Sequence, residues 1–173
     1  EKINDIVVSI HGQDLLSLDL SDVKRNIRSD DWIRDVKIKK SFPDTLEIII
    51  IPQQPYAIYN SKIMTIDGTV IGASLMQLDL PIIIDHTNDS QSSMNTMILT
   101  SKLLKKIDLD IKKIEIHDSI IKVFTSANIL ISDRVNYENN LNRLVVTFHD
   151  LQKLFKREIK SIDMRYSNGF AIK

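Results

Sequence analysis

Apolar residues recur along this chain with two periods, and the period changes where Gly, Pro or clustered polar residues interrupt it. Residues 3–10 (Ile-Asn-Asp-Ile-Val-Val-Ser-Ile) are rich in β-branched side chains and read as a strand, ended by His11-Gly12. Ser17 to Arg28 reads as a helix. Leu20, Val23 and Ile27 stand at i, i+3 and i+7, and Ser17 or Asp19 can cap it. Asp30-Asp31-Trp32-Ile33 follows as a short helical turn. Val36 and Ile38 then alternate with Lys37 and Lys39 in a half-buried strand. Ser41 to Asp44 turns the chain around Pro43. Thr45 to Ile51 is the next strand. Leu46, Ile48 and Ile50 share one face, while Ile49 and Ile51 share the other with Glu47, which predicts cover on both sides. Pro52 and Pro55 end it.

After these prolines the pattern is richer in strands. Ile63–Ile66 and Thr69–Ile71 flank Asp67-Gly68, a pair that predicts a two-residue type I′ hairpin. Pro81 to Ile84 is a short strand. His86 to Ser93 is a polar loop, and Ser92 or Ser93 is the expected cap of a helix from Met94 to Ile107. Met97, Ile98 and Leu104 should face its core. Lys113–His117, Ile120–Thr125 and Asn128–Ser132 read as a three-stranded meander. Tyr137 to Lys156 is the longest helix. Tyr137, Leu141, Leu144, Val145, Phe148, Leu151 and Phe155 form its apolar stripe, and Lys153, Lys156 and Arg157 crowd its C-terminal end.

The last thirteen residues, Ser161 to Lys173, stand out. An apolar run through Ile159, Ile162 and Met164 halts at Ser167-Asn168-Gly169 and resumes with Phe170, Ala171 and Ile172. That is a strand, a kink and a terminal strand. A strand at a sheet edge offers unpaired N–H and C=O groups to another protein.

Composition removes several alternatives. The chain has 173 residues, enough for one domain or two small ones, with 43% hydrophobic and 27% charged residues, an ordinary globular balance. Lys+Arg and Asp+Glu are equal at 23 each, which argues against general nucleic-acid binding. There is no cysteine, so disulfides, thiolate metal sites and cysteine nucleophiles fall away together. The four histidines, His11, His86, His117 and His149, are scattered without metal-ligand spacing. No acid pair, nucleophile–base set or phosphate loop stands out, so neither an enzyme nor a cofactor is expected. No run of about 18 apolar residues exists. The opening Glu1-Lys2-Ile3 carries no Met and no signal pattern, which reads as a piece of a longer protein.

Two segments resemble a known family. Phe42-Pro-Asp-Thr-Leu-Glu-Ile-Ile-Ile-Ile-Pro-Gln-Gln-Pro-Tyr-Ala57 resembles the strand-to-linker segment of the bacterial cell-division family FtsQ/DivIB, which runs aromatic-Pro-x-Thr-Leu, an apolar strand, then Glu-x-x-Pro-x-Ala. Ile162-Asp-Met-Arg-Tyr-Ser-Asn-Gly-Phe-Ala171 is similar to the family's closing Ile-Asp-Leu-Arg-Tyr-x-x-Gly. The order of elements agrees along the full chain. Pro52 departs from the pattern, standing where the family usually has Glu.

The resemblance implies an α+β chain of two domains. Residues 1–53 would be a small β-α-β-β POTRA domain, and 54–173 a larger β domain, a curved mixed sheet with packed helices. It implies a non-enzymatic scaffold anchored in the inner membrane by a helix absent here, with this part on the periplasmic side at the division septum. Expected partners are FtsB- and FtsL-like proteins and other divisome components. The family's partner adds a strand beside the C-terminal strand, so the expected binding residues are Arg165, Tyr166, Ser167, Asn168, Gly169, Phe170 and Ala171. Arg165 would meet an acidic partner side chain, Tyr166 would supply contact area, and Ser167 to Ala171 would present backbone. Plainer roles stand beside these: Tyr166 in the core, Arg165 in a surface ion pair, Gly169 serving a bend. The alternative function is a POTRA-containing secretion or outer-membrane assembly component that captures client strands. One such unit followed by no repeat argues against it.

Overall fold

The computed structural model describes residues 2–12, 14–72, 78–155 and 158–173. The chain divides into two compact units, Glu1–Gln54 and Pro55–Lys173.

The first unit begins with helix α1 (Lys2–Ile10), where β-branched content predicts a strand. Spacing overrides composition here. Ile3, Ile6, Val7 and Ile10 fall at i, i+3, i+4 and i+7, the period of a helix. Ile6 and Ile10 thereby pack on one core while Val8 is 72% exposed. Helix α2 (Leu20–Arg28) starts at Asp19, whose carboxylate accepts from the Ser21 N–H at 2.8 Å, and buries Val23 and Ile27. The segment expected as a second helical turn is a tight turn only. Asp30 accepts from Trp32 N–H through its side chain and from Ile33 N–H through its carbonyl, both at 3.0 Å. Strands β1 (Ile33–Ser41) and β2 (Thr45–Pro52) pair antiparallel, with Val36 opposite Ile50 and Ile38 opposite Ile48. Those residues join Val23, Ile27 and Ile33 in the core. The expected cover on both faces of β2 is not found within this unit, where Ile49 is 48% exposed and the core draws on the face of Ile48 and Ile50.

The second unit is built on a nine-stranded sheet. Its strands in chain order are β3 (Pro55–Tyr59), β4 (Lys62–Thr65), β5 (Val70–Ile71), β6 (Ile82–Asp85), β7 (Ile111–Ile116), β8 (Ile120–Thr125), β9 (Ile129–Asp133), β10 (Ser161–Asp163) and β11 (Ala171–Ile172). Their spatial order is β11-β10-β9-β8-β7-β6-β3-β4-β5. β3–β6, β6–β7 and β9–β10 are parallel and the other pairs antiparallel. Helix α3 (Ser90–Leu104), extended by a 3-10 turn at Lys105–Ile107, crosses from β6 to β7, and helix α4 (Tyr137–Leu154) crosses from β9 to β10. Parallel neighbours need such crossovers. Met94, Met97 and Leu104 from α3 meet Leu141, Leu144 and Phe148 from α4 over Ile83, Ile114, Val123, Leu130 and Ile162 of the sheet. This is an α+β architecture.

Three local expectations shift. The type I′ turn joins β3 to β4 at Asn60-Ser61, both with positive φ (45° and 69°), between paired Tyr59 and Lys62. Around Asp67-Gly68 only Gly68 is left-handed, at φ 83°. Thr65 and Thr69 close a three-residue connection instead, with Thr65 N–H donating to Thr69 C=O at 2.9 Å. The cap of α3 is Asp89, which accepts from Ser92 N–H at 3.0 Å, and Ile98 is 44% exposed. Ile98 lies about 100° round the helix from Met97, and buried Thr100, bonded to Tyr137 at 2.6 Å, takes the inward place. Lys156 and Arg157 lie outside the described residues.

Candidate partner-binding edge

The sequence ends its long helix with an apolar stripe and then must return to the sheet. It does so parallel to β9. Ile162 sits opposite Leu130, and Met164 N–H donates to Ile131 C=O at 2.7 Å. The chain then loops through residues 164–170 and comes back as β11, antiparallel to β10, with Ala171 opposite Asp163 and Ile172 opposite Ile162. β11 is the last strand of the sheet on that side.

The pairing fixes which backbone groups are open. Ser161 and Lys173 exchange N–H···O=C bonds, both 3.1 Å, and form a hydrogen-bonded pair. Ile162 and Ile172 are the adjacent, non-hydrogen-bonded pair. The N–H and C=O of Ile172 therefore point away from β10, toward the open side of the sheet.

Each expected binding residue has a definite place. Arg165 is exposed and grips Asp163: its Nε donates to Oδ1 at 2.9 Å and its Nη2 to Oδ2 at 2.6 Å. This contact holds the Asp163 carboxyl below its ordinary value and raises Arg165. Tyr166 is 58% exposed, which places it on the surface and not in the core. Ser167 and Asn168 form an exposed turn. Gly169 has no positive φ, and a Cβ there would meet nothing within 4 Å, so neither conformation nor crowding demands glycine in the free chain. Phe170 is half-buried against the core cluster, and Ala171 is exposed.

Sequence reading passed over the residue that organises this loop. Arg143, the one arginine on α4, reaches across 21 to 26 residues. Its Nη1 donates to the Ser167 carbonyl at 2.6 Å. Its Nη2 donates to Met164 C=O at 3.0 Å and Tyr166 C=O at 2.7 Å, with Gly169 C=O at 3.4 Å. The guanidinium also stands 4.9 Å from the Phe170 ring centroid. The available signal was a lone forked donor on a helix that must pack beside a non-repetitive loop full of carbonyls.

A second polar centre lies within the sheet. Asp85 is buried and fully engaged. Tyr59 OH donates to Oδ2 at 2.7 Å, the Thr87 N–H and hydroxyl to Oδ1 at 2.7 Å each, and Asp89 N–H to Oδ2 at 2.9 Å. Burial by itself would raise this carboxyl, but the donors from Thr87 and Tyr59 outweigh it and hold the group at about 2. Burial and the bond to Asp85 push Tyr59 up to about 12. Every partner is a structural one, so the centre reads as a pin between strands. His86 and His117, distant in sequence, stack with centroids 4.3 Å apart because each follows the end of one of two paired strands. Among the described residues no group of three or more His, Cys, Asp or Glu could hold a metal, and no helix is long and apolar enough to cross a membrane.

Residues 1–51 match the POTRA domain of FtsQ type. Along nearly its whole length the chain is similar to proteins named cell division protein FtsQ. That of Alcanivorax borkumensis is 22% identical over 169 residues, covering 94% of this chain and 65% of the relative. That of Neisseria meningitidis is 27% identical over 173 residues, covering 95% and 71%, and that of Neisseria gonorrhoeae 27% over 172 residues, covering 95% and 69%. The chain thus spans about two thirds of the length of these relatives. Residues 1–51 thus carry the POTRA pattern of FtsQ type, and along nearly its whole length the chain is similar to bacterial proteins named cell division protein FtsQ.

Proposed function

We propose that this chain is a non-enzymatic scaffold of the division machinery, held on the outer face of the cytoplasmic membrane. It binds an FtsB- or FtsL-type partner by strand addition beside β11. Residues 1–53 serve as a POTRA docking module and 54–173 as the β domain that carries the partner site. The observation that carries this reading is the open edge of β11, where Ile172 turns its N–H and C=O away from the sheet. Main-chain pairing of this kind needs little sequence, so selectivity falls to side chains around it. Exposed Tyr166 offers a rigid contact surface. Arg165, already gripping Asp163, presents its remaining Nη1 to a partner carboxylate. The space beside Gly169 admits close approach of a second backbone.

The test is binding of the chain to the extracytoplasmic segment of its own FtsB-like protein, with and without residues 165–173. Loss of binding on removal, with the remaining chain folded, supports the site. Undiminished binding moves the partner elsewhere. Within the site, Tyr166→Ala should weaken binding about tenfold without lowering the melting temperature. An unchanged affinity removes Tyr166 from the contact.

A further inference from the structure

The loop between β10 and β11 has an uneven supply of hydrogen-bonding groups. A strand that continues a sheet offers N–H and C=O in alternation. Here the carbonyls of Met164, Tyr166, Ser167 and Gly169 all turn to Arg143. The N–H groups of Tyr166, Ser167, Asn168, Gly169 and Phe170 donate to no acceptor among the described residues. Five successive donors are left without a protein acceptor among the described residues, and in the planar trans peptide units whose carbonyls meet Arg143 the N–H groups of Ser167, Asn168 and Phe170 point away from it. Such a segment cannot extend the strand pairing of β11. It can receive a group that only accepts, and an ionised carboxylate is that group.

The surrounding charge has the same sense. Arg143, Arg165 and Lys173 act at this edge against Asp133 and Asp163. Arg143 gives its donors to neutral carbonyls, so the contacts at this edge set three cationic side chains against two carboxylates.

We propose that Arg143 is the positioning residue of the edge: by drawing in the carbonyls of residues 164–169 it turns 166–170 into a receptor for a carboxylate carried by the partner beside its added strand. This rests on the reading of β11 as the partner edge and adds the chemistry of the occupant. Recognition then has two parts, main-chain pairing at Ile172 and an acidic group read by backbone donors. Lysine cannot replace arginine in this role. A single ammonium lacks the planar fork that spans several carbonyls.

The probe is the FtsB-like extracytoplasmic segment, used as it stands and with every Asp and Glu changed to Asn and Gln. Amide spectra of the whole chain are followed during titration. For the wild type, the acidic segment should shift the amides of 166–170 and bind at least tenfold more tightly than the neutral one. In Arg143→Lys that preference should fall to near unity while the amides of Leu141 and Leu144 stay in place. Asn168→Pro, which deletes one donor at the turn, should reduce the preference severalfold. Equal binding of both segments to the wild type, or a full preference retained in Arg143→Lys or in Asn168→Pro, overturns the proposal. The two readings fail separately. If removal of 165–173 leaves binding intact, the edge itself is wrong. If removal abolishes binding while Arg143→Lys behaves as wild type, only the role of Arg143 falls.

Discussion

The two units solve the same problem, burying one face of a sheet, with very different resources. Among the described residues, the first sets two helices against a two-stranded sheet and buries four apolar residues in its central cluster, Val23, Ile27, Ile33 and Val36. The second, counted over its described residues, lays two helices over nine strands and buries twenty-two. Small cores are marginal because surface grows relative to volume. The contrast teaches where each unit's identity resides. In the first, a single residue carries a large share of the core. In the second, many residues share the load, and a buried polar centre at Asp85 adds specificity of register.

The comparison breaks most readily at its cores. Ile27→Ala and Leu144→Ala remove similar volumes from fully buried positions, each at about 2–5 kcal/mol. In the first unit this should abolish hydrogen-exchange protection of α2. In the second, one transition should survive at a melting temperature lower by roughly 10 °C. Equal survival of both would erase the contrast.

Next in size is acid. The Asp85 carboxyl lies at about 2 against an ordinary value of 3.8, so its folded form is favoured when ionised. The sign follows: the contribution is full above about pH 4 and is lost as pH falls from 4 through 2, amounting to about 2 kcal/mol. Denaturant unfolding of the second unit should show the gap between wild type and Asp85→Asn narrowing over that window. A gap independent of pH would mean that the donors around Asp85 do not favour its charged form.

The smallest effect concerns left-handed backbone. The first unit places Gly12 at φ 82°, while the second asks Ser61 to stand at φ 69°. Gly12→Ala should cost about 1 kcal/mol, and Ser61→Gly should stabilise the β3–β4 hairpin by about 0.5 kcal/mol, both read from thermal melts. Opposite signs sharpen the comparison, and like signs dissolve it.

What was legible in the sequence follows the range of the forces involved. The meander β7–β8–β9 lies within two residues of its expected bounds, because alternation and tight turns are local. Helix α4 follows from its stripe. α1 was misread, since composition and spacing pointed in opposite directions and spacing won in contact with the core. β3 was passed over because Pro55 and Pro52 look like breakers, although a proline at the first position of a strand leaves the ladder intact. Asp67-Gly68 drew the hairpin signal that Asn60-Ser61 fulfils. At the candidate edge, the terminal strand could be read from alternation. The Arg143 clamp left only a weak trace, a lone arginine on α4, because its partners lie more than twenty residues away. The Asp163–Arg165 pair is local, yet a charge two residues from another gives no hint that a strand end will hold them together.

The Asp85 centre bears on how the second unit can assemble. Its donors come from β3, from the turn after β6 and from the residue that caps α3. No two of these elements satisfy it alone. A partly assembled sheet, or one with β3 slipped along β6, would leave an ionised carboxylate in an apolar layer with half its partners missing. Such states are poor resting places. The carboxylate thus disfavours slipped pairings of β3 on β6 and biases this part of the sheet toward all-or-none assembly.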